Sequence, residues 1–115
     1  MMGTHLLINF YDVSFYLLNH RKNLKNVMIS AVEDEGMEIL NVFSHSFPVQ
    51  GVTVLISLAE SHFSCHTWPE NGTAAVDIFT CGSGSPMNIA KELIYFFETD
   101  AVSYTHLTLP TIYSV

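Results

Sequence analysis

The sequence predicts an α+β domain, a two-layer sandwich in which one antiparallel β-sheet carries two helices on a single face. Three observations lead there. Apolar residues recur at helical spacing in two separate windows. Alternating or nearly all-apolar runs mark strands, and short turns join the consecutive ones. The element order, β-α-β-β-β-α, then gathers both helices on one side of the sheet. No helix is left for the opposite face, which is expected to pack against a partner.

Each element has its own signal. Thr4 to Tyr11 reads as a strand, with Leu6, Ile8 and Phe10 on one side and His5, Leu7 and Asn9 on the other. Asn19 is the expected cap of a helix from about His20 to Glu35, in which Leu24, Val27, Met28, Ala31 and Val32 share a face. Gly36 supplies its stop. Met37 to Phe47 alternates as a second strand, Pro48-Val49-Gln50-Gly51 turns, and Val52 to Ala59 is a third strand. His62 to Thr67 continues extended. Pro69-Glu70-Asn71-Gly72 turns again, and Thr73 to Thr80 forms another strand. After the loop Cys81 to Pro86, Ser85 caps a helix with Pro86 at its first position. That helix reaches about Glu98 and buries Ile89, Leu93, Ile94 and Phe97.

Size and charge narrow the function classes. At 115 residues the chain is one domain by length, with 49% hydrophobic residues and a mean hydropathy of +0.30. Such an apolar excess suggests surface buried against another subunit. Four Lys and Arg against 11 Asp and Glu give a net charge of −7. Nucleic acid is thereby disfavoured as a partner, since its binding needs clustered cations. Arg21, Lys22 and Lys25 read as a solvated helix face, while the acidic balance suits a cationic small ligand. No run approaches the roughly 18 apolar residues of a membrane span. Met1 to His5 lacks a basic signal region, so a cytoplasmic location is expected. Cys65 and Cys81 cannot build a disulfide framework and are core filler or reactive thiols.

The end of the chain is a separate matter. Val102 to Thr111 resembles the in-frame translation of a transposon-end sequencing adapter. The expected division is therefore a domain of residues 1–101 and a non-native tail of residues 102–115, with native sequence continuing past Asp100. His106 then carries no functional meaning. The other reading is a true final strand, because Thr105 to Leu109 alternates polar and apolar.

Chemistry concentrates in Ala59-Glu60-Ser61-His62-Phe63-Ser64-Cys65-His66-Thr67-Trp68-Pro69-Glu70 and in Phe79-Thr80-Cys81-Gly82. Local rules are broken here, with polar and nucleophilic groups placed in what otherwise reads as apolar sheet. His62 and His66 have a helical zinc-ligand spacing. On a strand those positions lie about 13 Å apart, so no shared metal is expected. Cys81 and His66 could form a thiolate–imidazole pair, or be a buried cysteine and a satisfied core histidine; the residues alone leave both open. Glu60-Ser61 lacks the G-x-S-x-G surroundings of a hydrolase nucleophile.

The run Glu60-Ser61-His62-x-x-x-His66-Thr67-Trp68-Pro69-Glu70, followed by Ala74-Ala75-Val76-Asp77-Ile78-Phe79-Thr80-Cys81-Gly82, resembles the prokaryotic S-adenosylmethionine decarboxylases. These are pyruvoyl enzymes that make their own cofactor, and the similarity extends from about His5 to Asp100. The resemblance implies cleavage between Glu60 and Ser61. The Ser61 hydroxyl attacks the preceding carbonyl, and elimination and hydrolysis leave a pyruvoyl group on the new N-terminus. That group then forms a Schiff base with the substrate amine and acts as the electron sink for decarboxylation. His66 matches the histidine assigned to self-processing. Thr53 matches a position where serine is proposed to assist, and threonine keeps the hydroxyl. Cys81 matches the proton donor to the substrate carbon, Glu70 the carboxylate that holds the ribose hydroxyls, and Phe47 an aromatic that stacks on adenine. His5 and His45 have no matching role and are left as structural.

The resemblance further implies a homodimer of cleaved chains, with each site built from both subunits. The expected activity is decarboxylation of S-adenosylmethionine to supply the aminopropyl donor for spermidine. Two alternatives stand beside it: a pyruvoyl-dependent ornithine or arginine decarboxylase, and an inert, truncated dimerising module.

Overall fold

Alternation along the strands sorts this molecule into layers. The computed structural model describes residues 2–82 and 84–110, so Ser83 of the loop before the last helix and residues 111–115 of the tail lie outside the described residues. The elements run β1 (Met2–Phe10), α1 (Phe15–Asn19), α2 (Arg21–Asp34), β2 (Ile39–Ser46), β3 (Val52–Leu58) and β4 (His62–Trp68). A single 3-10 turn (Pro69–Asn71), β5 (Thr73–Cys81), α3 (Pro86–Phe97) and β6 (Val102–Pro110) follow. The strands form one antiparallel sheet in the order β2-β3-β4-β5-β1-β6.

One face of that sheet is the core. Leu6, Ile8, Phe10, Val54, Ile56, Phe63, Cys65, Val76 and Ile78 meet Leu24, Met28 and Val32 of α2 and Ile89, Leu93 and Phe97 of α3. The Phe10 and Phe97 rings meet edge to face, with centroids 4.9 Å apart. Each such side chain, fully removed from water, contributes about 1.5–3 kcal/mol. The expected two-layer architecture is thus the observed one.

The details differ in three places, each with a local cause. The extended run from residue 52 to 67 is two strands, because the chain folds back at Ala59–Glu60, where Leu58 N–H donates to Ser61 O at 2.9 Å. The sheet therefore has one more hairpin than the predicted order allows. A short helix, α1, precedes the first long one; Ser14 caps it, and only Leu18 is buried. At five residues it is too short to show a helical period. His20 rather than Asn19 caps α2, its Nδ1 accepting the Asn23 N–H at 3.2 Å. Asn19 instead accepts the Gly51 N–H at 2.9 Å and pins the β2–β3 turn. Separately, residues 102–110, the segment that resembles adapter sequence, run as β6 along the edge of β1. Backbone bonds make that pairing, and they ask little of the side chains.

Among the described residues no helix covers the second face, which is organised in rows across the strands. One row runs Ser57, His62, Phe79, His5 and Leu107. The next is Phe43, Leu55, Ser64, Asp77, Leu7 and Thr105. The third is His45, Thr53, His66, Ala75, Asn9 and Ser103. Leu7, Phe43, Leu55, Trp68 and Leu107 remain exposed on it.

Candidate active site

The rows place the residues singled out by the sequence at two opposite ends of the open face. At one end lie Ser61 and Cys81. Ser61 closes the β3–β4 hairpin, and its Oγ accepts the Cys81 backbone N–H at 3.3 Å. Leu58, Ala59, Glu60, Ser61 and Cys81, facing Glu35, Met37 and Gly84, line a cavity of about 140 Å³. Glu35 fixes the loop that leaves Cys81, accepting the Ser85 N–H at 2.9 Å and the Asn88 Nδ2 at 3.1 Å.

At the other end lie Thr53, His66, Phe47 and Glu70. Thr53 and His66 are opposite one another on β3 and β4, with Oγ1 and Nδ1 3.0 Å apart. Phe47 opens the β2–β3 turn, its N–H donating to Gly51 O at 2.9 Å, and its ring meets His45 edge to face at 4.8 Å. Gly51 has φ of 111°, a backbone conformation that strains any residue with a Cβ, so glycine suits the turn. Glu70 is exposed on the 3-10 turn beyond β4.

Within one chain these two groups do not meet. His66 is five positions beyond Ser61 along an extended strand, about 16 Å away. It faces Ala75, six residues before Cys81 on β5, so about 20 Å separates them. The thiolate–imidazole pair between Cys81 and His66 is therefore not formed in the chain. The strand also keeps His62 and His66 apart, as expected for an extended segment.

The two cysteines differ in kind. Cys65 sits on the core face, and burial pushes its thiol up to about 12, because the thiolate would lose its hydration. Cys81 is half-buried beside the Ser61 hydroxyl.

A further cluster escaped the sequence reading. His5 Nε2 lies 2.5 Å from Asp77 Oδ1, and His62 Nε2 lies 3.5 Å from the same oxygen. His62 stacks on Phe79 with centroids 5.7 Å apart, while His5 meets both rings edge on. His5 and Asp77 are 72 positions apart, so no local pattern announces them. Only the register of β1 against β5 reveals their meeting.

Comparison with known proteins bears on the same features. The sequence profile of the S-adenosylmethionine decarboxylase family matches residues 4–108. An S-adenosylmethionine decarboxylase proenzyme of Prochlorococcus marinus (strain MIT 9313) is 46% identical over 94 residues, covering 82% of this chain and 75% of that protein. A proenzyme of the same description from Moorella thermoacetica is 39% identical over 107 residues, 92% of this chain and 86% of the other. Among solved structures, the adenosylmethionine decarboxylase of Aquifex aeolicus VF5 superposes with a TM-score of 0.83 at 26% identity, covering 92% of this chain and 88% of that one.

Proposed function

The chain belongs to the S-adenosylmethionine decarboxylase family, and on that premise we propose that it breaks its own backbone between Glu60 and Ser61. It is a pyruvoyl-dependent S-adenosylmethionine decarboxylase, made as a proenzyme, that serves polyamine biosynthesis. A basic amino acid as substrate, or an inert module, has no comparable support. We place the enzyme in the cytoplasm on the same basis; among the described residues no helix is long and apolar enough to cross a membrane.

One observation supports the scissile bond above others. Ser61 sits at a hairpin turn, its hydroxyl oxygen held by the Cys81 N–H, at the wall of a cavity. The site fits a self-made ketone. Cutting there leaves β3 anchored to β2 and to β4, and β4 anchored to β3 and β5, so the sheet survives the break. When formed, the pyruvoyl group supplies an electron sink for loss of carbon dioxide. The His62 backbone, anchored to β5 and joined directly to position 61, is what would hold it.

The chain's own residues carry the formation chemistry. Ser61 Oγ attacks the Glu60 carbonyl carbon, the bond to the Ser61 nitrogen breaks, and the hydroxyl proton ends on that nitrogen. Loss of the Ser61 Cα proton then expels the Glu60 carboxylate, and water replaces the nitrogen, which leaves as ammonia. Proton movements of this kind need a positioned base and hydroxyl, and the Thr53–His66 pair has both. The Cys81 thiol is the group assigned to return a proton to the substrate carbon. Phe47 is assigned to the adenine and the cationic sulfonium, and Glu70 to the ribose hydroxyls.

The separation of the two groups supports a second copy as partner. A homodimer pairing two open faces end to end would bring Thr53, His66, Phe47 and Glu70 of one protomer to Ser61 and Cys81 of the other. It would also cover the exposed Leu7, Phe43, Leu55 and Trp68. The test is carbon dioxide release by purified protein from S-adenosylmethionine, ornithine and arginine in parallel. Release from S-adenosylmethionine by the wild type and none by Ser61→Ala is expected. Equal release by Ser61→Ala, or release from an amino acid only, overturns the assignment.

A further inference from the structure

On the basis that Glu60–Ser61 is the scissile bond, we propose that Asp77, bridging His5 and His62, is a positioning residue for self-cleavage. His62 is joined directly to Ser61, so whatever holds its ring also holds the backbone from which the serine hydroxyl must be aimed. Two contacts hold it: the face of Phe79, nearly parallel at 22°, and the Asp77 carboxylate at 3.5 Å. Asp77 is in turn fixed by His5 at 2.5 Å from the neighbouring strand. Three strands thereby converge on the residue following the bond to be broken, and an attack geometry wrong by about 1 Å can lose a hundredfold in rate.

A carboxylate suits this place better than a neutral acceptor. His5 and His62 have ring centroids only 6.1 Å apart. If both protonate, the negative charge between them offsets their repulsion, and His5 keeps its charge-assisted hydrogen bond. The other titratable side chains on this face of β1, β4 and β5 are His66 and Cys81, while β6 presents Ser103, Thr105 and Leu107. Asp77 is thus the sole carboxylate among the described residues of these strands.

The same three groups, with ligand atoms within 4.8 Å of one another, could also hold a metal ion. Zinc retention, measured below, separates that reading from a positioning role.

The experiment follows conversion of freshly purified proenzyme into its two fragments by mass spectrometry, at pH 7.5 and 5.5, with circular dichroism to establish that each variant is folded. Wild-type splitting is the control; if it fails, the scissile bond itself is wrong. Asp77→Asn is expected to split about tenfold more slowly at pH 7.5, the loss of one charge-assisted hydrogen bond. Its rate relative to wild type should fall about tenfold further at pH 5.5, because a carboxylate, and not a neutral amide, answers the charge of an imidazolium. A wild-type rate in Asp77→Asn, or a lowered rate whose ratio to wild type ignores pH, overturns the proposal. So does retention of one zinc ion per chain that Asp77→Asn abolishes.

Discussion

At the scale of single residues, the molecule separates groups that look alike in the sequence. Cys65 and Cys81 are both free thiols, but one lies in the core with its ionisation pushed up to about 12 and the other lies beside the Ser61 hydroxyl. Alkylation of the folded protein at pH 8 with iodoacetamide should mark Cys81 and spare Cys65, read by peptide mapping. Marking of Cys65 to the same extent would contradict the burial argument. The sign of the linked pH effect follows. The folded thiol is raised above its unfolded value near 9, so its contribution is intact below pH 9 and is lost as pH climbs from 9 toward 12. Among the histidines, His66 is paired with Thr53 and His62 with Asp77, so two residues of one motif belong to two different ends of the open face. Separate consequences follow for the reacting pair. Ser61→Ala should give only uncleaved chain, whereas Cys81→Ala should still cleave at least in part and lose most turnover. Fragment mass and carbon dioxide release together separate these outcomes; full activity in Cys81→Ala would remove it from proton donation.

At the scale of elements, the β3–β4 hairpin and the β2–β3 turn place both halves of the site, and a few buried polar bonds lock them. Thr67 is buried, its hydroxyl accepting the Val52 N–H at 2.9 Å and donating to Leu18 O at 2.8 Å. Thr67→Val keeps the shape and leaves both backbone groups without that partner, which should lower stability by about 1–3 kcal/mol. Urea unfolding checks it, and an unchanged midpoint would show that other groups compensate. What the sequence made legible at this scale was whatever repeats locally. The strands showed in the alternation of Leu6, Ile8 and Phe10, and α3 showed in Ser85, Pro86 and the spacing of Ile89, Leu93 and Phe97. Two things were not legible. The hairpin at Ala59–Glu60 lacks glycine, asparagine or proline, so a fold-back read as continuous extension. The His5–Asp77–His62 cluster arises from register between strands distant in sequence, which no window of residues encodes. The candidate site residues were named by resemblance, but their division between two ends of the face needed the sheet.

At the scale of the whole molecule, one chain carries two separated groups of candidate residues and exposed apolar side chains on its open face, and a second copy, as proposed, would resolve both. If His66 acts across such an interface, a His66→Ala chain, which still holds Ser61, should be cleaved when coexpressed with a Ser61→Ala chain, which still holds His66. Appearance of fragments from the His66→Ala chain supports action across the interface; fragments absent from the mixture, with each variant folded, would place the histidine's action within its own chain. Beneath this lies the fragility of a single peptide bond, and the intact mass of freshly purified wild-type protein tests it. Two species are expected, residues 1–60 and a fragment from position 61 whose new terminus lacks an amine and reacts with a carbonyl reagent. One uncut chain, inert to that reagent, would contradict it.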